Sequence, residues 1–337
     1  MVRALKRRGR QAGAAILLAL LIMTLVATLA ASMVWLQWRG IEVEAAERAR
    51  AQAEWLLNAS LDWGNLILKT SIRNTHTEDD LGQPWATPLA ETKLSSFLSA
   101  DGNHSEDGGP EAYLSGQITD AEGKYNLYNI ILDPSKGEEI NRLKIICSAI
   151  GVPVDTATAI GSGLRGSHDA QQNISQGVQP TTAVLMPVQI GDLAWYGIDP
   201  KVLKLLEPFV QLLPPAAGQQ QAMTTINVNT APAEVLMAAI PVISRAQAQQ
   251  LILARQTNPF ADLNKVWQAL NLPNTGPVLP DGTPHLQAGV ISSHFEIFGQ
   301  LRYEQHVIRE RSVIYRPPNQ YAAIQVLRRE RIPPDAT

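Results

Sequence analysis

The chain has 337 residues, 45% of them hydrophobic and 18% charged, with a formal net charge of −3. That composition excludes wholesale disorder, and the length allows about two domains. Cys147 is the single cysteine, which excludes an intramolecular disulfide even in an oxidising compartment; it reads as a buried structural thiol.

The first element is the stretch Gln11 to Trp38, which carries no charged residue, and Arg3, Lys6, Arg7, Arg8 and Arg10 stand before it. The run is longer than the roughly 20 residues that a helix needs to cross a bilayer. The basic flank places the N-terminus in the cytoplasm and the remainder of the chain outside. One reading is a cleaved secretory signal with a site among Ala27, Ala30 and Ala31, although such signals use apolar regions of only about 7–15 residues. A second is a plain single-pass anchor. The third starts from Gly13, at the join of basic leader and apolar helix. Followed by Ala14-Ala15-Ile16-Leu17-Leu18, it resembles the prepilin signal. In that family a membrane peptidase cuts after the glycine and the apolar helix stays on the mature protein. Gly9, followed by Arg10 and Gln11, fits the join badly. Loss of residues 1–13 removes five basic side chains and no acidic one, taking the net charge from −3 to −8. An acidic exported body is a poor start for nucleic-acid binding.

From Arg39 to about Ile72 there is no proline, and Ile41, Ala45, Ala49, Leu56 and Ala59 recur at helical spacing with charged residues between them. Trp55, Trp63 and Leu66 extend the stripe. The pattern predicts one helix, lipid-facing in its first half and packed on a soluble head in its second. Asn74 to Pro110 is turn-rich, with Asp101-Gly102 among its punctuation. Within Ala112 to Asn129, Tyr113, Ser115, Gln117 and Thr119 alternate with Leu114, Gly116 and Ile118 as in a half-buried strand, Glu122-Gly123 reads as a hairpin-like turn, and Lys124 to Leu127 as its return. Helical signals then dominate from Asp133 to about Pro284. They give helices over Glu138–Ile150, from Asp155, from Asp199-Pro200 through Phe209, over Asn229–Ile240 and Ser244–Arg255, and over Asp262–Leu270. Ser293–Leu301, Gln305–Tyr315 and Gln320–Arg329 read as three antiparallel strands that need a cover, and the second half of the first helix is the natural one.

Few residues suggest chemistry. Gly161-Ser162-Gly163-Leu164-Arg165-Gly166 matches GxGxxG, but a helix-like stretch precedes it where a phosphate site needs a strand. It reads as a helix C-cap and loop. The six histidines, His76, His104, His168, His285, His294 and His306, show no metal-ligand spacing. There is no G-x-S-x-G and no EF-hand pattern. Glu78-Asp79-Asp80 and Glu106-Asp107 read as solvated loops. No enzyme signature is present. Thr224 to Leu270 resembles a helix-hairpin-helix module, with Asn229 or Thr230 as N-cap and Pro232 near the first turn. Such modules bring a glycine-bearing hairpin to phosphate. Here the hairpin is Ile240-Pro241-Val242-Ile243-Ser244, with no glycine and one donor removed by Pro241. The fold of the module is expected without its phosphate site. A membrane-anchored DNA receptor of the competence type is the alternative from a different class.

Taken together the chain resembles the minor pseudopilin K family of the bacterial type II secretion pathway. The resemblance rests on Gly13 and its helix, Leu61-Asp62-Trp63, Asp120 to Asn129, Leu212-Leu213-Pro214, Ile226 to Ala231 (with Asn227, Asn229 and Thr230), and Arg255 with Pro259-Phe260. It implies an α+β fold: a pilin-like long N-terminal helix on a small antiparallel sheet, with a large all-α insertion containing helix-hairpin-helix/SAM-like modules. The implied boundaries are a leader over 1–13, a transmembrane helix over 14–38 and its periplasmic half over 39–72. The head follows over 73–130 and 285–332, the insertion over 131–284 and a tail over 333–337. The resemblance further implies a non-enzymatic subunit at the pseudopilus tip, in the inner membrane with its head periplasmic. It implies cleavage between Gly13 and Ala14 by prepilin peptidase, N-methylation of Ala14, and minor pseudopilins I and J and the major pseudopilin as partners. No nucleic-acid partner is expected. Some relatives bind calcium in the head, so calcium is the candidate cofactor, with no ligands assigned. Most pilins carry Glu at the fifth position after the cut; Leu18 stands there, and the K family shares that absence.

Overall fold

The structure, a computed structural model, describes residues 11–74, 77–93, 112–133, 137–177, 185–218, 222–273, 276, 287–303, 306–319 and 321–333. The basic leader, Asp101-Gly102, Glu106-Asp107, His76, His104, His285 and Pro284 lie outside the described residues. Two compact units divide the chain, Met1–Leu56 and Leu57–Thr337.

The first unit holds the beginning of helix α1 (Gln11–Asn74). Ile16, Leu17, Leu18, Leu20, Leu21, Ile22 and Met23 are all exposed. At 100° per residue they cover the whole circumference, as a membrane-crossing helix requires. Among the described residues this is the helix long and apolar enough to cross a membrane. The hydroxyls of Thr24, Thr28 and Ser32 donate to the carbonyls of Leu21, Leu25 and Leu29 at 2.8–2.9 Å, so none is left to lipid unpaired. Charge begins at Arg39, whose guanidinium lies 5.6 Å from the Trp35 ring centre. Glu44–Arg48 and Arg50–Glu54 then pair one turn apart.

In the second unit the residues of α1 from Leu57 onward lie on a five-stranded antiparallel sheet. Its strands are β1 (Leu89–Lys93), β2 (Ala112–Asp120), β7 (His294–Tyr303), β8 (His306–Tyr315) and β9 (Gln325–Ile332), in the order β1-β2-β7-β8-β9. The inward stripe is Leu57, Leu61 and Leu68, all buried, with Gly64 between them. Spacing by four, three and four residues keeps one face on the sheet. The stripe expected from the sequence is one residue out of phase: Trp63 and Leu66 are exposed. Bulk explains the shift, because helix and sheet meet at glycines. A Cβ on Gly64 would lie 3.3 Å from Ile297 Cδ1, and one on Gly299 would lie 3.3 Å from Leu57 Cδ1. Leu61, Leu68, Trp85, Ile118, Phe295, Ile297 and Ile314 form this core. Trp85, in the 3-10 turn Pro84–Ala86, meets Phe295 edge-on at 5.2 Å.

The sheet has two strands more than the C-terminal three: β2, as expected, and β1, which falls in the turn-rich stretch. The return after Glu122-Gly123 is no hairpin. Ala121–Gly123 is a 3-10 turn, and β3 (Tyr125–Asn126) pairs in parallel with β4 (Val210–Gln211). The last strand begins at Gln325, so Tyr321 and Ala323 are not in it.

Between β3 and β6 (Ala288–Gly289) lies a helical block with the larger core. It comprises α2 (Asn129–Leu132), α3 (Glu138–Ile150), α4 (Asp155–Ser175), a 3-10 segment (Ile190–Tyr196), α5 (Pro200–Leu206), α6 (Ala233–Ala239), α7 (Arg245–Thr257) and α8 (Leu263–Ala269). Local chemistry sets the ends. Gly151 closes α3 at φ 77°. The carboxylates of Asp199 and Asp262 accept the N–H groups of Lys201 and Lys265, and Ser244 with Gln247 makes a capping box. Helix α5 stops at Leu206, short of Phe209, because the chain turns there to enter β4.

The GxGxxG segment is neither cap nor loop. Residues 161–166 lie inside α4. A Cβ on Gly161 would sit 2.7 Å from Ile140 Cδ1, and one on Gly163 2.4 Å from the Tyr196 ring. These glycines are places where a neighbour crosses the helix. Cys147 is fully buried on α3, and burial pushes its thiol up to about 11.

Candidate functional site

The sequence singles out two places: the start of α1 and the stretch Ile226–Ala231. Gly13, Ala14 and Leu18 lie on α1 with exposed side-chain positions, Leu18 at 61%, and no heavy atom would lie within 4 Å of a Cβ on Gly13.

The second place is a buried polar seam between the sheet and the helical block. β5 (Ile226–Asn227) pairs in parallel with β6, Ile226 opposite Ala288 and Asn227 opposite Gly289. The chain then makes a tight turn in which Asn227 Oδ1 accepts the Asn229 N–H at 2.9 Å. Asn227 is fully buried, and its Nδ2 donates to the Asp79 carbonyl, Asp120 Oδ2 and Ser292 Oγ at 2.8–2.9 Å. Thr230 Oγ1 donates to the same Asp120 oxygen at 2.6 Å and Ser292 Oγ does so at 2.7 Å. The other oxygen of Asp120 accepts the Glu122 N–H. Asp79 accepts from Arg316 Nη2 at 2.5 Å and from the Ser292 N–H at 2.8 Å. Glu122 Oε1 sits 2.6 Å from His294 Nδ1 and accepts the Ser293 N–H.

The expected capping role of Asn229 and Thr230 is not what the structure shows. Pro232 is the residue before α6 and offers no side-chain cap. Asn229 reaches instead to Phe260, giving Nδ2 to its carbonyl and taking its N–H, both at 2.9 Å. Arg255 Nη1 donates to the carbonyls of Val228 and Ala231 at 2.6 and 2.7 Å, and burial lowers its pKa to about 10. Asn126 and Asn129 hold Leu213 and Thr224 in the same two-pronged way. Asp79, Ser292, Glu122, His294 and Arg316 were not singled out as site residues, since each reaches partners far away in sequence. Asp120 had a signal, because it opens the Asp120–Asn129 stretch.

Chemically the seam is a fastening. Among the described residues no group of three or more His, Cys, Asp or Glu is placed to hold a metal. His294 Nε2 has no hydrogen-bond partner among them, so no hydroxyl or thiol nucleophile completes the Glu122–His294 pair. The α6–α7 hairpin offers little to a phosphate. The N–H groups of Ile243 and Ser244 go to the Ile240 carbonyl and to Gln247 Oε1. Arg245 is paired with Glu234.

Residues 226–286, which open on this seam, match the family model of type II secretion system protein K. The type II secretion system protein K of Pectobacterium carotovorum subsp. carotovorum is 25% identical over 331 residues, 91% of this chain and 93% of that one. In this stretch, and at lower identity along most of its length, the chain is similar to protein K of type II secretion systems. A likeness of fold extends over most of the molecule. A crystal structure of the GspK-GspI-GspJ complex from enterotoxigenic Escherichia coli superposes with a TM-score of 0.56 at 18% identity, covering 86% of this chain and 98% of that one. Every internal segment after α1 that carries the resemblance, Asp120 to Asn129, Leu212 to Pro214, Ile226 to Ala231 and Arg255 with Phe260, supplies a contact of the seam or of its asparagine clamps.

Proposed function

We propose that this minor pseudopilin occupies the tip of the type II secretion pseudopilus, where it starts or caps assembly for the export of folded proteins, and that it acts without catalysis. The observation that carries the reading is the helical block. About 160 residues stand between β3 and β6, fastened to the sheet by the seam, and a head so enlarged is hard to stack beneath copies of itself. At a fibre end nothing sits above it.

On this reading Gly13–Ala14 is the bond cut by prepilin peptidase and Ala14 is the methylated N-terminus. The N-terminus faces the cytoplasm before assembly, and the second unit is periplasmic. The fold-level likeness to a chain solved with GspI and GspJ supports minor pseudopilins I and J as its direct partners.

The test is co-purification. The full chain is co-expressed with the I and J subunits of its own system, extracted in detergent and sized. A stable complex holding one copy of each is the expected result. A K-type chain that elutes alone, or that assembles with many copies of itself, would remove the tip reading.

A further inference from the structure

We propose that the seam is a proton-controlled latch: the cluster of Asp79, Asp120, Glu122, His294 and Arg316 takes up a proton to hold the helical block on the sheet and releases it to loosen that hold. The basis is a charge count in a closed space. Three carboxylates face one guanidinium and one imidazole, and all five residues are at most 9% exposed. Arg316 is taken by Asp79 and His294 by Glu122. Asp120 is left with neutral donors only: Asn227, Thr230, Ser292 and a backbone N–H. With every carboxylate ionised the cluster is negative whether or not His294 is protonated, and an uncompensated buried charge is costly.

The charged and titratable groups around Asp120 come from four places. Asp79 lies in the segment after α1, Glu122 in the turn after β2, and His294 opens β7. Arg316 follows β8, with Tyr315 tilted against the His294 ring. The β5–α6 segment contributes only the neutral Asn227 and Thr230.

Burial first, and the Glu122 charge second, raise the Asp120 carboxyl from 3.8 to about 7, against the opposing hydrogen bonds of Thr230, Ser292 and the Glu122 N–H. Its donors do not forbid the proton. The hydroxyls of Thr230 and Ser292 can turn and accept it. The raised value fixes the sign. Between 3.8 and about 7 the folded chain holds a proton that the unfolded chain lacks. The contribution to stability is therefore full below 3.8 and lost as pH rises through about 7.

Hydrogen exchange on the full chain in detergent tests this, with rates corrected for intrinsic pH dependence and amides at the centre of β7 and β8 as reference. Protection of the amides of Ile226 to Ala231 is expected to fall by up to about tenfold per pH unit as pH rises from mild acid toward about 7, and to level off above that transition. Asp120→Asn should flatten the profile, and Glu122→Gln should move the transition to lower pH. Constant protection in the unmodified chain across the range from about 5.5 to 8.5 overturns the latch. So does an unmodified pH profile in Asp120→Asn. If Asp120→Asn does not fold, an unmoved transition in Glu122→Gln overturns it.

Discussion

A primary amide carries a donor and an acceptor side by side, so one asparagine can hold both polar groups of a distant residue's backbone as a β-bridge would. Asn126, Asn129 and Asn229 do this to Leu213, Thr224 and Phe260. The residues they hold lie in irregular chain that has no ladder of its own, and buried backbone groups there need a partner. Asn229→Ala leaves the N–H and C=O of buried Phe260 without one. The expected loss is about 2–4 kcal/mol from two unsatisfied groups, measured by denaturant unfolding of the detergent-solubilised chain. Asn229→Asp keeps the acceptor and sets a charge against the Phe260 carbonyl, so it should lose at least as much. Equal stability of all three chains would show that the clamp is not stabilising.

At the level of elements, α4 contains an internal contrast. Gly163 lies against the Tyr196 ring, whose hydroxyl is fixed by Ser167 Oγ at 2.9 Å, whereas Gly166 is exposed and has open space at its Cβ position. Gly163→Ala should cost about 1–3 kcal/mol by overpacking. Gly166→Ala should gain up to about 1 kcal/mol from helix propensity. Opposite shifts in the thermal midpoint are the expected pair, and a gain at both sites would mean that Tyr196 moves aside freely. The same helix shows where sequence reading stops. Glu138–Ile150 was legible to the residue because its cap glycine and its periodicity are local. The strands β2, β7 and β8 were legible because alternation is local too. The glycines of α4 imitate a loop motif, and only the crossing partner reveals their use. β3 to β6 have two residues each, too few for any period. The seam was half legible: its residues stood out as a motif, but capping explained them more cheaply than partners more than 100 positions away.

For the molecule as a whole, the apolar start of α1 and the head have to serve one chain. On the proposed reading the fifth position of the mature chain is Leu18, and a first subunit has no earlier neighbour whose amine a carboxylate there would meet. An Asp at the centre of a membrane helix costs on the order of 2.5–3.5 kcal/mol by insertion scales. Leu18→Glu is therefore expected to weaken tip placement, read as reduced secretion in complementation and altered pseudopilus length. Full secretion with unchanged fibres would separate Leu18 from the tip role. A mature N-terminus at methylated Ala14, read by mass spectrometry, would support the numbering on which that position depends; an uncut chain would cancel it.

The sheet also imposes an order of events on the chain as it is made. β2 finds its partner in β7, with Ile118 opposite Ile297. Everything from β3 to β6 is synthesised between the two. Until β7 is made, β2 therefore waits with its apolar face uncovered except by α1, and its pairing must close a loop of roughly 180 residues. The short parallel pair β3–β4 draws the chain back beside the end of β2 at residue 210, well before β7 exists. β5–β6 then delivers the chain to the start of β7. The two smallest strand pairs among the described residues thus act as stitches, turning one long closure into successive shorter ones.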